Sequence, residues 1–207
     1  MSLELYLGFI AATLVLCVMP GPVVTWLIAC GIADGPRASL TGLAGTSSAL
    51  LVHMALVLAG LAPLLAALGP WADAVKLIGA AYLVFLGVQA FRAPYDDPEL
   101  PEAVKRKASA LTLYRRGFVI GVTNPKSLAF YAAFFPQFVS ASAPAGPQLV
   151  ILAATFVVVA TLSDGTFAVM AGKLAPYLKG ARAQKIRNRI TGSVLIASGA
   201  ALALARR

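Results

Sequence analysis

Two proline sites inside apolar runs set the terms for this chain. Tyr114 to Val139 is one such run, and Asn124-Pro125-Lys126 lies within it. Asn is a preferred helix N-cap and Pro is favoured at the first helical position. Asn124-Pro125 therefore reads as the start of a helix where a helix is already under way. Pro125 has no N–H to give the carbonyl of Gly121, so the ladder is interrupted there. Pro20-Gly21-Pro22 does the same near the middle of the first apolar run. At membrane depth such breaks are tolerated only where the freed backbone groups line a cavity or are buried in protein. The expectation is a polar pocket at mid-membrane, as in a transporter.

That these runs cross a bilayer follows from composition. Of 207 residues, 59% are hydrophobic and only 12% are charged, and mean hydropathy is +0.83. A soluble domain of this length could not hide so much apolar surface. The 18 Gly and 13 Pro suit transmembrane helices. A net charge of +9 would otherwise suggest nucleic acid, but the basic residues stand in short loops between apolar runs. The membrane, not nucleic acid, accounts for them. The first run has no Lys or Arg before it and is too long for a signal-peptide core, so it reads as a retained first helix.

Six spans are predicted: about Leu5 to Ala33, Ser39 to Leu61, Ala72 to Phe91, Tyr114 to Val139, Leu149 to Gly172 and Ile190 to Ala205. The first exceeds the ~20 residues a helix needs to cross, which fits a break at its proline site. Leu61 to Trp71, with Pro63 and Pro70, reads as a connection, and Lys173 to Arg189 as a basic one. Residues 93–113 gather Asp96, Asp97, Glu99 and Glu102 ahead of Lys105-Arg106-Lys107, and read as a flexible cytoplasmic linker. The chain then divides into a first three-helix repeat (1–92), the linker (93–113) and a second three-helix repeat (114–207). Of the 17 basic residues, one falls in the first loop, six in the linker and its flanks, and six in the last loop, all on one side. The positive-inside rule makes that side cytoplasmic and puts both termini outside.

An odd number of spans per half inserts the second half upside down, and paired interrupted helices are the usual pointer to such repeats. Gly8-Phe9 and Gly117-Phe118 precede the two breaks, and Lys76-x-x-Gly79 resembles Arg189-x-x-Gly192. The expected fold is an all-α integral membrane protein, six transmembrane helices in an inverted 3+3 repeat with proline-broken helices 1 and 4.

The half-helix starting at Pro125 would aim N–H groups and a positive dipole end at the break, a site suited to a carboxylate. Freed carbonyls around Leu16, Val18 and Gly121 could accept from an ammonium. Together they suit a zwitterion held by Pro20, Gly21, Pro22, Asn124, Pro125 and Lys126. The bland alternative is a pair of kinks mended by neighbouring helices. Asp164 is the only acid within an apolar span. It reads as a proton carrier, a site for a cationic substrate, or a structural partner of another helix, with Lys126 the obvious counter-ion. His53, near the middle of span two, reads either as a proton relay or as a neutral imidazole bonded to a helix carbonyl. Asp164 and His53 are the two candidates for coupling. Lys76 reads as interfacial, with its amine snorkelling outward, and Thr123 and Ser127 flank the second break.

These residues resemble the signatures of the lysine exporter (LysE/RhtB) family of amino-acid exporters. The paired Pro20-Gly21-Pro22 and Asn124-Pro125-Lys126 carry the resemblance, with Lys76 to Leu83 and Gly87 in helix three, the Asp in helix five, and Arg189-x-x-Gly192 opening helix six. The resemblance covers nearly the whole chain. It implies export of amino acids across the bacterial cytoplasmic membrane, driven by the proton gradient or by exchange, with no cofactor. It does not name the amino acid, since members handle basic, neutral and hydroxyl-bearing ones, and it leaves a homodimer open.

Other functions fit less well. A membrane thiol electron carrier of the DsbD type needs a redox cysteine in each half, whereas Cys17 and Cys30 both lie in the first span. A metal-ion exporter would want thiolate or imidazole clusters. For an intramembrane enzyme, Gly45-Thr46-Ser47-Ser48-Ala49 is not a nucleophile elbow and no HExxH occurs.

Overall fold

The structure is a computed structural model that describes residues 1–18, 21–68, 72–93, 108–123, 130–131, 133–140, 142–178 and 181–204. Among these residues the regular structure is helical and no strand occurs.

The first apolar run is two helices. α1 (Leu3–Val18) is apolar along almost its whole length and stops at Val18. α2 (Pro22–Asp34) starts with Pro22 at its first position and Gly21 as an extended N-cap. The chain thus leaves one helix and enters another at the predicted proline site. Gly35 then takes φ +86°, a conformation that glycine adopts without a Cβ penalty, and turns the chain back.

α3 (Pro36–Leu68) runs seven residues past the predicted end of span two, straight through Pro63. Proline removes one backbone bond, but the Leu and Ala residues around it are strong helix formers. α4 (Ala72–Arg92) matches span three. α5 begins earlier than predicted, at Ala110, because the Ser109 hydroxyl accepts from the Thr112 N–H at 3.2 Å and caps the helix. It ends at Val122. Phe130, Tyr131, Ala133 and Phe134 are helical again, and a 3-10 turn follows at Phe135–Phe138. The buried Gln148 side chain then accepts from Ser140 N–H and donates to the Ser140 and Ala143 carbonyls, tying the next turn together.

α6 (Ala145–Leu178) and α7 (Ala181–Leu204) absorb nearly all of the basic connection predicted between Lys173 and Arg189. That stretch is rich in Ala, Lys, Arg and Leu, which favour helix whether or not lipid surrounds them.

Four helix pairings build the body. α3 lies parallel to α5, with Gly42 against Gly117 and Ala49 against Gly121. α1 and α2 lie parallel to α6: Tyr6 meets Thr155, Cys17 meets Ser163, and Gly31 meets Ala171. α3 runs antiparallel to α6, where Ser47 faces Thr161 at 3.5 Å and Leu43 faces Gly165. α4 runs antiparallel to α7, with Gly87 beside Ile196 and Gly199 beside Ala80. Small residues recur because lipid tails offer no hydrophobic drive between helices, so association depends on close backbone approach and van der Waals contact.

Outward faces are apolar. Pro36–Leu61 and Ala145–Ala171 are each long and apolar enough to cross a membrane, yet only 39% and 33% of their crossing windows are buried. Leu51, Leu56, Val158, Leu162 and Val169 point outward from them. Such surfaces suit acyl chains rather than water.

The α3–α5 contact is tight enough to test. A methyl on Gly45 would run into the Tyr114 carbonyl, whereas Gly60 has nothing within 4 Å of an added Cβ. Gly45→Ala should cost roughly 1–3 kcal/mol, seen as a lower unfolding midpoint in detergent. Gly60→Ala should not lower it.

Candidate functional site

Both ends of the first break and the near end of the second open onto one cavity of about 460 Å³. Leu16, Cys17 and Gly21 line it from the first break, and Gly121 from the end of α5. Its walls come from α3 (Thr46, Ser47, Leu50, His53), α6 (Phe156, Ala160, Thr161, Asp164) and the last turns of α4 (Leu86, Gln89, Ala90). The lining continues to Ala93, which is exposed at the end of α4. Among the described residues, aromatic rings stand at the opposite end. Phe130, Tyr131 and Phe156 border the cavity, with Tyr131 and Phe156 edge to face at 5.1 Å. Behind them Phe9 packs on Phe134, Phe135 and Phe138 at 5.2–5.7 Å.

The predicted site residues divide accordingly. Gly21, His53 and Asp164 come together on this cavity. Pro22 starts α2 beside it. Pro20 and Asn124, Pro125 and Lys126 lie outside the described residues, so the proposed Lys126–Asp164 pairing does too. Ser127 also lies outside them, as does the Lys76 side chain.

The cavity is asymmetric in charge. Asp164 is the one acid among the described lining residues, and no Lys or Arg is among them. Its other polar groups are hydroxyls, the Gln89 amide and the His53 ring. At the first break the polarity comes from backbone. Gly21 carries no side chain to cap α2, and Val23 and Val24, in the first turn, line the cavity. The first N–H groups of a helix lack internal acceptors and form its positive end. That end faces the cavity.

Carbonyls at the breaks behave less simply than predicted. The Thr123 N–H, which caps α5, donates to the Val119 carbonyl at 2.9 Å, with the Gly121 carbonyl as a second acceptor. The Cys17 carbonyl accepts from the Ser163 hydroxyl at 2.8 Å. The Val122 carbonyl lies 3.3 Å from His53 Nε2, and a carbonyl can only accept, so this nitrogen carries the proton. Of the two readings of His53, this is the geometry of an imidazole bonded to a helix carbonyl. Thr123 is exposed and gives its hydroxyl to the Val119 carbonyl, away from the lining. Cys17 and Cys30 are both free thiols.

Sequence reasoning missed most of the cavity's walls. Ser47 and Thr161 are hydroxyls at mid-span of two long helices, which was a readable signal. The aromatic end left a weaker one, the density of rings from Phe130 to Phe138.

Interrupted helices around a half-polar cavity, wrapped in an apolar surface, are the architecture of a membrane translocator. The chain belongs to the LysE type translocator family, whose model matches residues 14–206. It is 32% identical to the homoserine/homoserine lactone efflux protein of Salmonella typhimurium, over 100% of this chain and 99% of that protein. It is 30% identical to an uncharacterized membrane protein of Vibrio cholerae over the full length of both. It is 29% identical to the leucine efflux protein of Klebsiella pneumoniae, over 96% of this chain and 94% of that one. No solved structure matches the chain.

The cavity's role can be tested from its walls. Ala90 is half-buried on the lining, and Ala90→Trp would fill the space with a ring. Transport should fall by about 100-fold while the amount of protein in the membrane stays the same, measured by efflux assay and immunoblot.

Proposed function

We propose that this protein exports amino acids across a bacterial cytoplasmic membrane by alternating access, driven by the proton gradient or by exchange. The observation that carries this reading is the pairing of opposite polarities across one small cavity. An uncapped helix start, at Gly21, Val23 and Val24, faces the same space as the carboxylate of Asp164. A zwitterion fits between them, with its carboxylate at the α2 N-terminus and its ammonium toward Asp164 and the hydroxyls of Ser47 and Thr161. Its side chain would lie against Leu50, Leu86 and Leu195. A cavity of about 460 Å³ is ample for one such solute. The substrate-binding set comprises Pro20-Gly21-Pro22 and, from the second break, Asn124-Pro125-Lys126. Two relatives bear the names of homoserine and leucine efflux proteins, which supports an amino acid as cargo.

The packing supports an inverted repeat. If the first half is exchanged with the second, the α1/α2–α6 contact becomes the α5–α3 contact, and both are parallel. The α3–α6 and α4–α7 contacts map onto themselves and are antiparallel, as an in-plane two-fold axis requires. Under the positive-inside orientation, Arg37, Arg92, Arg115 and Arg116 mark the cytoplasmic side and both termini face outward. The cavity's open end at Ala93 is then cytoplasmic and the aromatic end external. That is the form in which an exporter takes on its load.

Coupling falls first on Asp164, because the one carboxylate among the described lining residues gains most from neutralisation by a proton or a substrate ammonium. His53 is the second group on the cavity that can move a proton.

The test is counterflow in proteoliposomes against a panel of labelled amino acids, with and without a pH gradient. One or more amino acids should exchange, and a pH gradient should drive net movement. If no amino acid in the panel exchanges, the export reading falls. Asp164→Asn should insert and fold, keep counterflow, and lose net export against a gradient. Normal uphill export by that variant would remove Asp164 from the coupling step.

A further inference from the structure

We propose that Ser163 and His53 are equivalent positioning residues, each holding the open end of a broken helix against the cavity so that the substrate site keeps its shape. This role rests on the transport reading above. The argument starts from the backbone. The last carbonyls of a helix lose their internal partners, and a proline following closely removes the chance of continuing the ladder. At membrane depth such a carbonyl needs a partner from elsewhere in the protein. α1 ends at Val18 and α5 at Val122. In each case a side chain from a long helix distant in sequence supplies that partner. Ser163 on α6 donates to the Cys17 carbonyl, 146 residues away, and His53 on α3 donates to the Val122 carbonyl, 69 residues away.

The two bonds stand in the same structural relation. α1 lies parallel to α6 and α5 lies parallel to α3, so each stub is tied to the second long helix of the other proposed half. Both bonds border the cavity, since Cys17 and His53 are lining residues. Ser163 also precedes Asp164 directly, so the bond that fixes α1 fixes the turn of α6 that presents the acid. The two bonds are 2.8 Å and 3.3 Å long, and His53 also stands 6.0 Å from the Tyr131 ring at the aromatic end of the cavity.

Cys17 provides a built-in reporter. In a Cys30→Ala background it is the remaining thiol, and its alkylation in proteoliposomes reads how firmly the α1 end is held, whatever the protein carries. Ser163→Ala should speed alkylation of Cys17 roughly 3- to 10-fold. It should raise the KM for counterflow by a similar factor and leave the maximal rate within about twofold. Ser163→Thr, which keeps the hydroxyl, should restore both. His53→Ala should raise KM in the same way. The proposal is overturned if alkylation is unchanged in Ser163→Ala, if Thr fails to rescue, or if either alanine variant lowers only the maximal rate. Should the wild-type protein carry no amino acid while the alkylation pattern holds, the export reading fails and the anchoring of the α1 end stands.

Discussion

A backbone carbonyl without a hydrogen-bond donor is expensive in hydrocarbon, on the order of several kcal/mol. The rest of this structure can be read as the consequence of breaking helices under that penalty. Where α1 stops, Ser163 reaches across from α6; where α5 stops, Thr123 folds back and His53 reaches across from α3. The donors must stand at the depth of the breaks, which places polar side chains in the middle of otherwise apolar helices. His53 stands on the cavity wall, and Ser163 directly precedes Asp164, which does too.

The second constraint is that lipid supplies no hydrophobic pressure between helices. Interior packing is therefore divided by chemistry. At one end of the cavity Phe9, Phe134, Phe135 and Phe156 stack into a dense aromatic cluster. At the other, a smaller cluster forms around Trp26, Leu27, Leu43 and Leu113. Between the helices themselves, glycine and alanine bring backbones together. Asp164 and the uncapped start of α2 are polar exceptions, and both line the same cavity.

How much of this was legible in the sequence depends on how local the signal was. The proline break at residues 20–22 was readable because proline and glycine act on their own backbone, and α2 begins at Pro22. Asp164 and His53 stood out because ionisable groups are rare in apolar spans, and both lie on the cavity. The bond from His53 to Val122 was foreseen only as a type, since no local pattern names a partner 69 residues away. No local pattern singles out Ser163 either, one hydroxyl among several in an apolar span. The extensions of α3 past Pro63 and of α6 to Leu178 run against local signals, since proline and charge usually mark a helix end. Helix propensity continued both. The second break and Lys126 fall outside the described residues.

The glycines on the helix faces have a mechanical consequence. Gly42, Gly45, Gly117 and Gly121 line the α3–α5 seam, and Gly87, Gly192 and Gly199 line the α4–α7 seam. On the α4–α7 seam those glycines receive the Phe91 ring and the Val84 and Ile196 side chains, and on the α3–α5 seam Tyr114 reaches across to the Ser48 hydroxyl. Such seams are keyed joints: sliding one helix past the other would unseat a side chain from its notch. Each helix pair is therefore built to travel as one piece.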